Sequence, residues 1–161
     1  MVMRYFRVDT EPRGQGRPRF RQIPVTQNGK KIMMVRPYKA KDDKEYEELI
    51  RNAYLYTYNG IKPLDGPLSV SITARMPIPQ STTKKERAAI AAHEIHPTKK
   101  PDVDNIGKAV LDALNGIAWE DDKQVILLMI HKAYENEDSH VGIEVSIRVV
   151  EPDDIIFGAW K

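Results

Sequence analysis

Apolar positions along this chain follow two different periods. Leu68, Val70, Ile72 and Ala74 alternate with small or polar residues, as do Val141, Ile143, Val145, Ile147 and Val149. Side chains two apart share one strand face, so each run predicts a half-buried strand. Tyr5, Phe6 and Val8 predict a shorter first strand, closed by the Pro-Arg-Gly-Gln-Gly-Arg-Pro cluster of residues 12–18. Residues 125–130 are apolar without interruption, which predicts a strand covered on both faces. Residues 20–25 and 31–35 flank Gln27-Asn28-Gly29 and predict a hairpin turning at Asn-Gly.

Elsewhere the period is helical. Tyr46, Leu49, Ile50, Ala53 and Tyr54 fall on one stripe and predict a helix over residues 41–58. Thr83 with Glu86 three residues on makes a capping box for a helix reaching about His93. Ile106, Val110, Ala113, Leu114 and Ile117 predict a third helix from about Asp104 to Asn115, stopped by Gly116. The chain carries no repeat and no low-complexity stretch. These elements predict an α+β (mixed α/β) fold, one domain with a mixed β-sheet flanked by helices. Its body is expected over residues 1–150. Residues 151–161 form a tail whose Ile155, Ile156, Phe157 and Trp160 would pack on the body or on a partner chain.

Composition narrows the class. With 41% hydrophobic and 30% charged residues the chain is expected to fold rather than stay disordered. The absence of cysteine excludes disulfides and thiolate zinc sites. No apolar run approaches the ~18 residues of a membrane span, and the opening MVMRYFRVDT lacks the apolar core of a signal peptide, so a cytoplasmic protein without membrane contact is expected. The net charge of +2 conceals a division: residues 1–100 hold 20 Lys and Arg against 10 Asp and Glu, and the remainder holds 5 against 13. Residues 12–41 contain nine basic residues and no acid. Arg13, Arg17, Arg19 and Arg21 in that stretch, with Lys99 and Lys100 further on, are candidates for contact with a polyanion such as DNA. The competing reading is a solvated basic loop.

The richest chemistry lies in KKPDVDNIGKAVLDALNGIAWEDD, residues 99–122. Extended backbone sends residues two apart to one side, so Asp102 and Asp104 can converge at a helix entrance, where Asp104 is placed to be the N-cap. Lys108 follows one turn later and Asp112 another turn on. Asp121 and Asp122 precede the apolar run, and one of them can reach the first pair if that strand lies beside the helix entrance. Two to four carboxylates suit a hard divalent cation such as Mg²⁺, which leaves coordination places for water and phosphate. Such a cation could activate water against a phosphodiester while a lysine stabilises the developing charge. Taken singly, each acid also has an ordinary reading: a cap, an i,i+4 charge ladder, or a turn. The four histidines show no ligand spacing, and Trp119 reads as a core plug. Gly14-x-Gly16 is a weak phosphate-loop signal that would give the arginine-rich loop room to approach a DNA backbone.

The segment from Lys100 to Gly116, followed by Trp119-Glu-Asp-Asp-Lys-Gln-Val125, resembles the RusA family of Holliday junction resolvases, found in bacteria and prophages. Gly16-Arg-Pro-Arg-Phe20, Arg36-Pro-Tyr38 and Tyr46-Glu47 extend the resemblance over most of the chain. It implies a RusA-like fold and an Mg²⁺-dependent endonuclease, with Mn²⁺ as a possible substitute, acting as a homodimer on four-way DNA junctions. It implies essential acids at Asp102, Asp104 and Asp122 and an essential lysine at Lys108; Asp121 and Asp112 also match commonly acidic positions. Paired incisions need two symmetric sites, and each chain offers one acidic cluster, which also points to a dimer. The strands predicted over residues 68–74 and 141–150, if at a sheet edge, are candidates for its interface. A non-catalytic DNA-binding dimer, or a metal-dependent phosphatase or nuclease acting on flaps or single strands, are the alternatives.

Overall fold

The period-two segments assemble into one sheet because each has a single greasy face to bury. In the computed structural model, which describes residues 2–151 except Pro18, Glu137 and the side chain of Gln27, the strands are β1 (Met3–Val8), β2 (Arg19–Gln27), β3 (Lys30–Tyr38), β4 (Leu68–Met76), β5 (Val125–Tyr134) and β6 (Gly142–Val149). The helices are α1 (Lys41–Tyr58), α2 (Lys84–Ala91) and α3 (Val103–Leu114). Strands β1, β6, β4 and β5 form a mixed sheet in that order, with β4 and β5 parallel and the other pairs antiparallel. The fold is α+β, as the pattern predicts. The tail residues Ile155, Ile156, Phe157 and Trp160 lie outside the described residues.

One face of the sheet carries Phe6, Val8, Leu68, Val70, Ile72, Ala74, Ile143, Val145 and Ile147, all buried. Helices α1 and α3 cover it with Tyr46, Ile50, Tyr54, Ile106, Val110 and Leu114. Trp119 is fully buried among them, a core plug as its sequence context suggests. The opposite face presents Ser69, Ser71, Thr73 and Arg75 beside Glu144, Ser146 and Arg148, which explains the polar half of each alternation. Arg4, a charge on the covered face, donates to the Tyr54 hydroxyl and the Lys62 carbonyl. The Thr83–Glu86 capping box forms and starts α2.

One expectation about strands is overturned, and the condition attached to another is not met. The apolar run of β5 is not covered on both faces: β5 is an edge strand, with Ile126 54% and Leu128 38% exposed. The condition that would make β4 and β6 candidates for a dimer interface, a place at a sheet edge, is not met: both are interior, and the edges among the described residues are β1 and β5. A continuous apolar run marks a strand with two apolar faces, not one with two covered faces.

Helix α3 lies against β5 and runs opposite to it. Gly107 makes this possible, because a Cβ there would stand 2.5 Å from the Ile130 Cδ1 and 3.3 Å from the Leu128 Cδ2. At the far end of the pair, the Lys132 ammonium donates to the carbonyl of Lys99. The entrance of α3 therefore sits beside the C-terminal end of β5.

The β2–β3 hairpin stands apart from this body. Asn28 and Gly29 take φ of 51° and 73°, the left-handed pair a two-residue hairpin turn requires.

Candidate metal and nucleic-acid site

Asp102, not Asp104, is the N-cap of α3, since the extended backbone (φ −76°, ψ 149°) continues through it. Its side chain makes no capping hydrogen bond, so the ordinary reading of an aspartate at a helix start does not account for it. Asp104 sits in the first turn, where the helix dipole favours a negative charge. The peptide bond from Lys100 to Pro101 just before them is cis.

Both carboxylates line a groove of about 760 Å³ between the loop of residues 12–17 and the start of α1. Arg13, Arg17 and Lys100 line it as well, so cations rim the acids. Asp42 and Asp43, from the first turn of α1, face into the same groove. The sequence reading missed this second pair, which stands about sixty positions from Asp102; two acids at a helix start look like dipole complements and nothing more.

The loop is held by backbone as well as side chains. The Gln15 N–H donates to the Asn105 carbonyl at 2.9 Å. A Cβ on Gly14 would meet the Asn105 Cβ at 2.7 Å, and one on Gly16 would meet the Asp43 Oδ2 at 3.0 Å. The two glycines thus serve close packing on α3 and α1. Gln15 is buried, and its Nε2 donates to Asp112 at 2.7 Å and Glu47 at 3.2 Å, while its Oε1 faces no partner.

Asp112 does not join an Asp104–Lys108–Asp112 ladder. It accepts from Lys39 at 2.7 Å, and Lys39 also donates to Glu47 at 2.8 Å, tying the base of β3 to α1 and α3. Burial raises the Asp112 pKa, but the hydrogen bonds from Lys39 and Gln15 outweigh it and leave the carboxyl below its usual value. A depressed folded-state pKa contributes stability above the unfolded value, lost as pH falls through the folded one. Asp112→Asn should therefore lower stability by about 1 kcal/mol near neutrality. In urea titrations the gap from wild type should close as pH drops below about 4; a gap that persists in acid would mean that the carboxylate charge is not what matters.

Lys108 is exposed, one turn past Asp104, in a hollow shared with Arg17, Asp43 and Asp112. Arg19 and Arg21 lie on β2, and Arg21 stacks over Tyr38 at 5.6 Å.

Asp121 and Asp122 fall elsewhere. Asp121 caps a 3₁₀ turn over Asp122–Gln124: its side chain accepts from the Lys123 N–H at 3.0 Å, and it pairs with the Lys123 ammonium at 3.3 Å. These bonds, the backbone one first, hold its pKa below the ordinary value. Asp122 is exposed before the first residue of β5, while Asp102 and Asp104 stand level with its far end. The eight strand residues from Val125 to Lys132 span roughly 23 Å. One chain does not bring Asp122 to the Asp102–Asp104 pair. Consistently, among the described residues no three acidic, histidine or cysteine side chains gather closely enough to hold a metal.

His93, His96 and His131 line a separate hollow on the polar face of the sheet, beyond α2. No helix of the described residues is long and apolar enough to cross a membrane.

The family model described as endodeoxyribonuclease RusA matches residues 9–148. A Bacillus subtilis (strain 168) relative, described as uncharacterized protein YqaN, is 37% identical over 150 residues, spanning 90% of this chain and 95% of that protein.

Proposed function

The chain belongs to the RusA endodeoxyribonuclease family, and from that premise we propose that it resolves four-way DNA junctions as an Mg²⁺-dependent homodimer, cutting two strands symmetrically. The observation that carries this reading is a pair of carboxylates, Asp102 and Asp104, in a cation-rimmed groove with Lys108 one turn away. An all-oxygen set whose leading member caps no backbone amide suits a hard divalent ion.

The set is incomplete within one chain, and the sheet supplies a way to complete it. Strand β5 has a free edge and exposes Ile126, Leu128 and Met129. Two copies joined at that edge about a two-fold axis would pair β5 antiparallel to itself. An axis at Leu127 sets residue 122 opposite residue 132, at the end of the strand where α3 begins. Asp122 of the partner subunit would then stand beside Asp102 and Asp104, and each dimer would own two sites.

Asp102 and Asp104, with Asp122 of the partner subunit, would hold Mg²⁺, or Mn²⁺ as a substitute, and the bound ion would supply polarisation of a phosphate oxygen and a more acidic water. The chain's own residues do the rest. Arg13, Arg17, Lys99 and Lys100 attract the phosphate backbone and fix its register. Lys108 places an ammonium where charge develops on the scissile phosphate. Asp112, engaged by Lys39 and Gln15, and Asp121, engaged by Lys123, hold structure near the site and bind no metal in this scheme.

The test is cleavage of labelled four-way junction, duplex and flap, with and without Mg²⁺. Junction alone should be cut, in paired symmetric incisions and only with metal. Asp102→Asn or Asp104→Asn should abolish cleavage while junction binding persists or tightens, because less negative charge meets the phosphates. Full cleavage by both variants would remove the acids from the chemistry.

A further inference from the structure

The β2–β3 ribbon is the least explained part of the molecule. It pairs for nine residues on each strand, from Arg19 opposite Tyr38 to Gln27 opposite Lys30, so it is about 30 Å long. Every residue of β3 is exposed. The register sorts its side chains onto two faces. One carries Phe20, Pro24, Met33, Val35 and Pro37, with Lys31 as its only charge. The other carries Arg19, Arg21, Lys30 and Arg36 around Ile23, Ile32 and Met34. Phe20 is 66% exposed and Met33 60%.

An exposed apolar ribbon invites association unless its partner or its charge prevents it. The charge identifies the partner. Residues 19–38 hold five cations and no acid, so a second copy of the ribbon would repel the first, whereas a nucleic acid would attract it. Phosphate contact alone requires no Phe or Met. Apolar side chains of these types do enter between base steps, where they unstack the bases and kink the duplex. The ribbon's base, at Pro37 and Tyr38, shares a hollow with Lys108 and Asp43, so a step opened by Phe20 would lie next to the cutting site.

We propose that the β2–β3 ribbon is a wedge for branched DNA: Phe20, Met33 and Val35 insert at the branch point and unstack its base pairs, while Arg19, Arg21 and Arg36 on the other face hold the flanking phosphates. This rests on the junction reading above and adds how the branch is recognised. An intact duplex resists the wedge, because each stacked step must first be opened, whereas a crossover already interrupts stacking.

The test uses the full chain without divalent metal and a four-way junction carrying 2-aminopurine at the branch, with a second junction labelled mid-arm. Wild type should brighten the branch label severalfold and leave the arm label unchanged. Phe20→Ala/Met33→Ala should lose most of that rise while keeping the salt dependence of binding, and Arg19→Ala/Arg21→Ala should flatten that dependence by up to about two slope units. Circular dichroism of the variants should match wild type, since the ribbon stands clear of the core. Junction-selective binding and cleavage with a dark branch label would overturn the wedge alone. Loss of the dimer in sedimentation of the Phe20/Met33 variant would also overturn it, making the ribbon a self-association surface. No preference for junction over duplex would overturn the junction reading and the wedge together.

Discussion

Mixing two inactive proteins, Asp104→Asn and Asp122→Asn, should restore cutting. If each site takes Asp102 and Asp104 from one chain and Asp122 from the other, a mixed dimer has one site with both lesions and one with none. The intact site should nick one strand of a junction at near the wild-type rate per site, against a background lowered by several orders of magnitude in either protein alone. A site formed within one chain gives the opposite result, because every site in the mixture then carries a lesion. Helix α3 and strand β5 run in opposite directions, fixed by Gly107 against Leu128 and Ile130 and by Lys132 at Lys99, and so hold the two sets of acids at opposite ends of one chain. Single-strand nicking in the mixture, measured on end-labelled junction after exchange of subunits, supports sharing. A mixture as inactive as its components would end the shared-site model.

Lys108→Ala should bind junctions normally and cleave them about 10²-fold or more slowly in single-turnover reactions at saturating protein, in line with removal of one preorganised donor to a charged transition state. Lys108 is exposed on α3, so the loss belongs to chemistry and not to folding. Lys108→Arg should recover little, because a planar, weakly hydrated fork replaces a compact ammonium. A wild-type rate for Lys108→Ala would reduce the residue to a modest electrostatic neighbour of Asp112, whose pKa it helps to lower.

Much of this was legible because local rules and tertiary demands agreed. Asn28-Gly29 needs the left-handed region at both residues and occupies it. The α3 stripe of Ile106, Val110, Ala113 and Leu114 is buried as its spacing requires. Asp102 and Asp104 share a groove with Arg13, Arg17 and Lys100, as an acidic pair following a basic stretch suggested. What failed were questions of direction and neighbourhood. Periodicity says that residues 125–130 are apolar on both faces, but it cannot say whether the second face meets a helix or awaits another chain. Spacing brings Asp121 and Asp122 close to the motif in sequence, but the antiparallel run of α3 against β5 sets them at its opposite end. The groove's second acidic pair, Asp42 and Asp43, enters only through the packing of α1 beside the loop that Gln15 anchors on Asn105.

The position of β6 has a consequence for how the chain is made. Among the described residues strand β1 pairs in the sheet with β6 alone, with Met3 opposite Arg148, and β4 meets β6 along its other side. During synthesis β1 waits unpaired while almost the whole chain emerges, and β4 can find only β5. Contacts this distant in sequence form slowly, because the loop must close before any bond rewards it. A nascent chain halted before Gly142 thus holds two open strand edges and a half-built core, an aggregation-prone intermediate of the kind chaperones bind. Insertion of β6 joins β1 to β4 and completes the buried face of the sheet in one step.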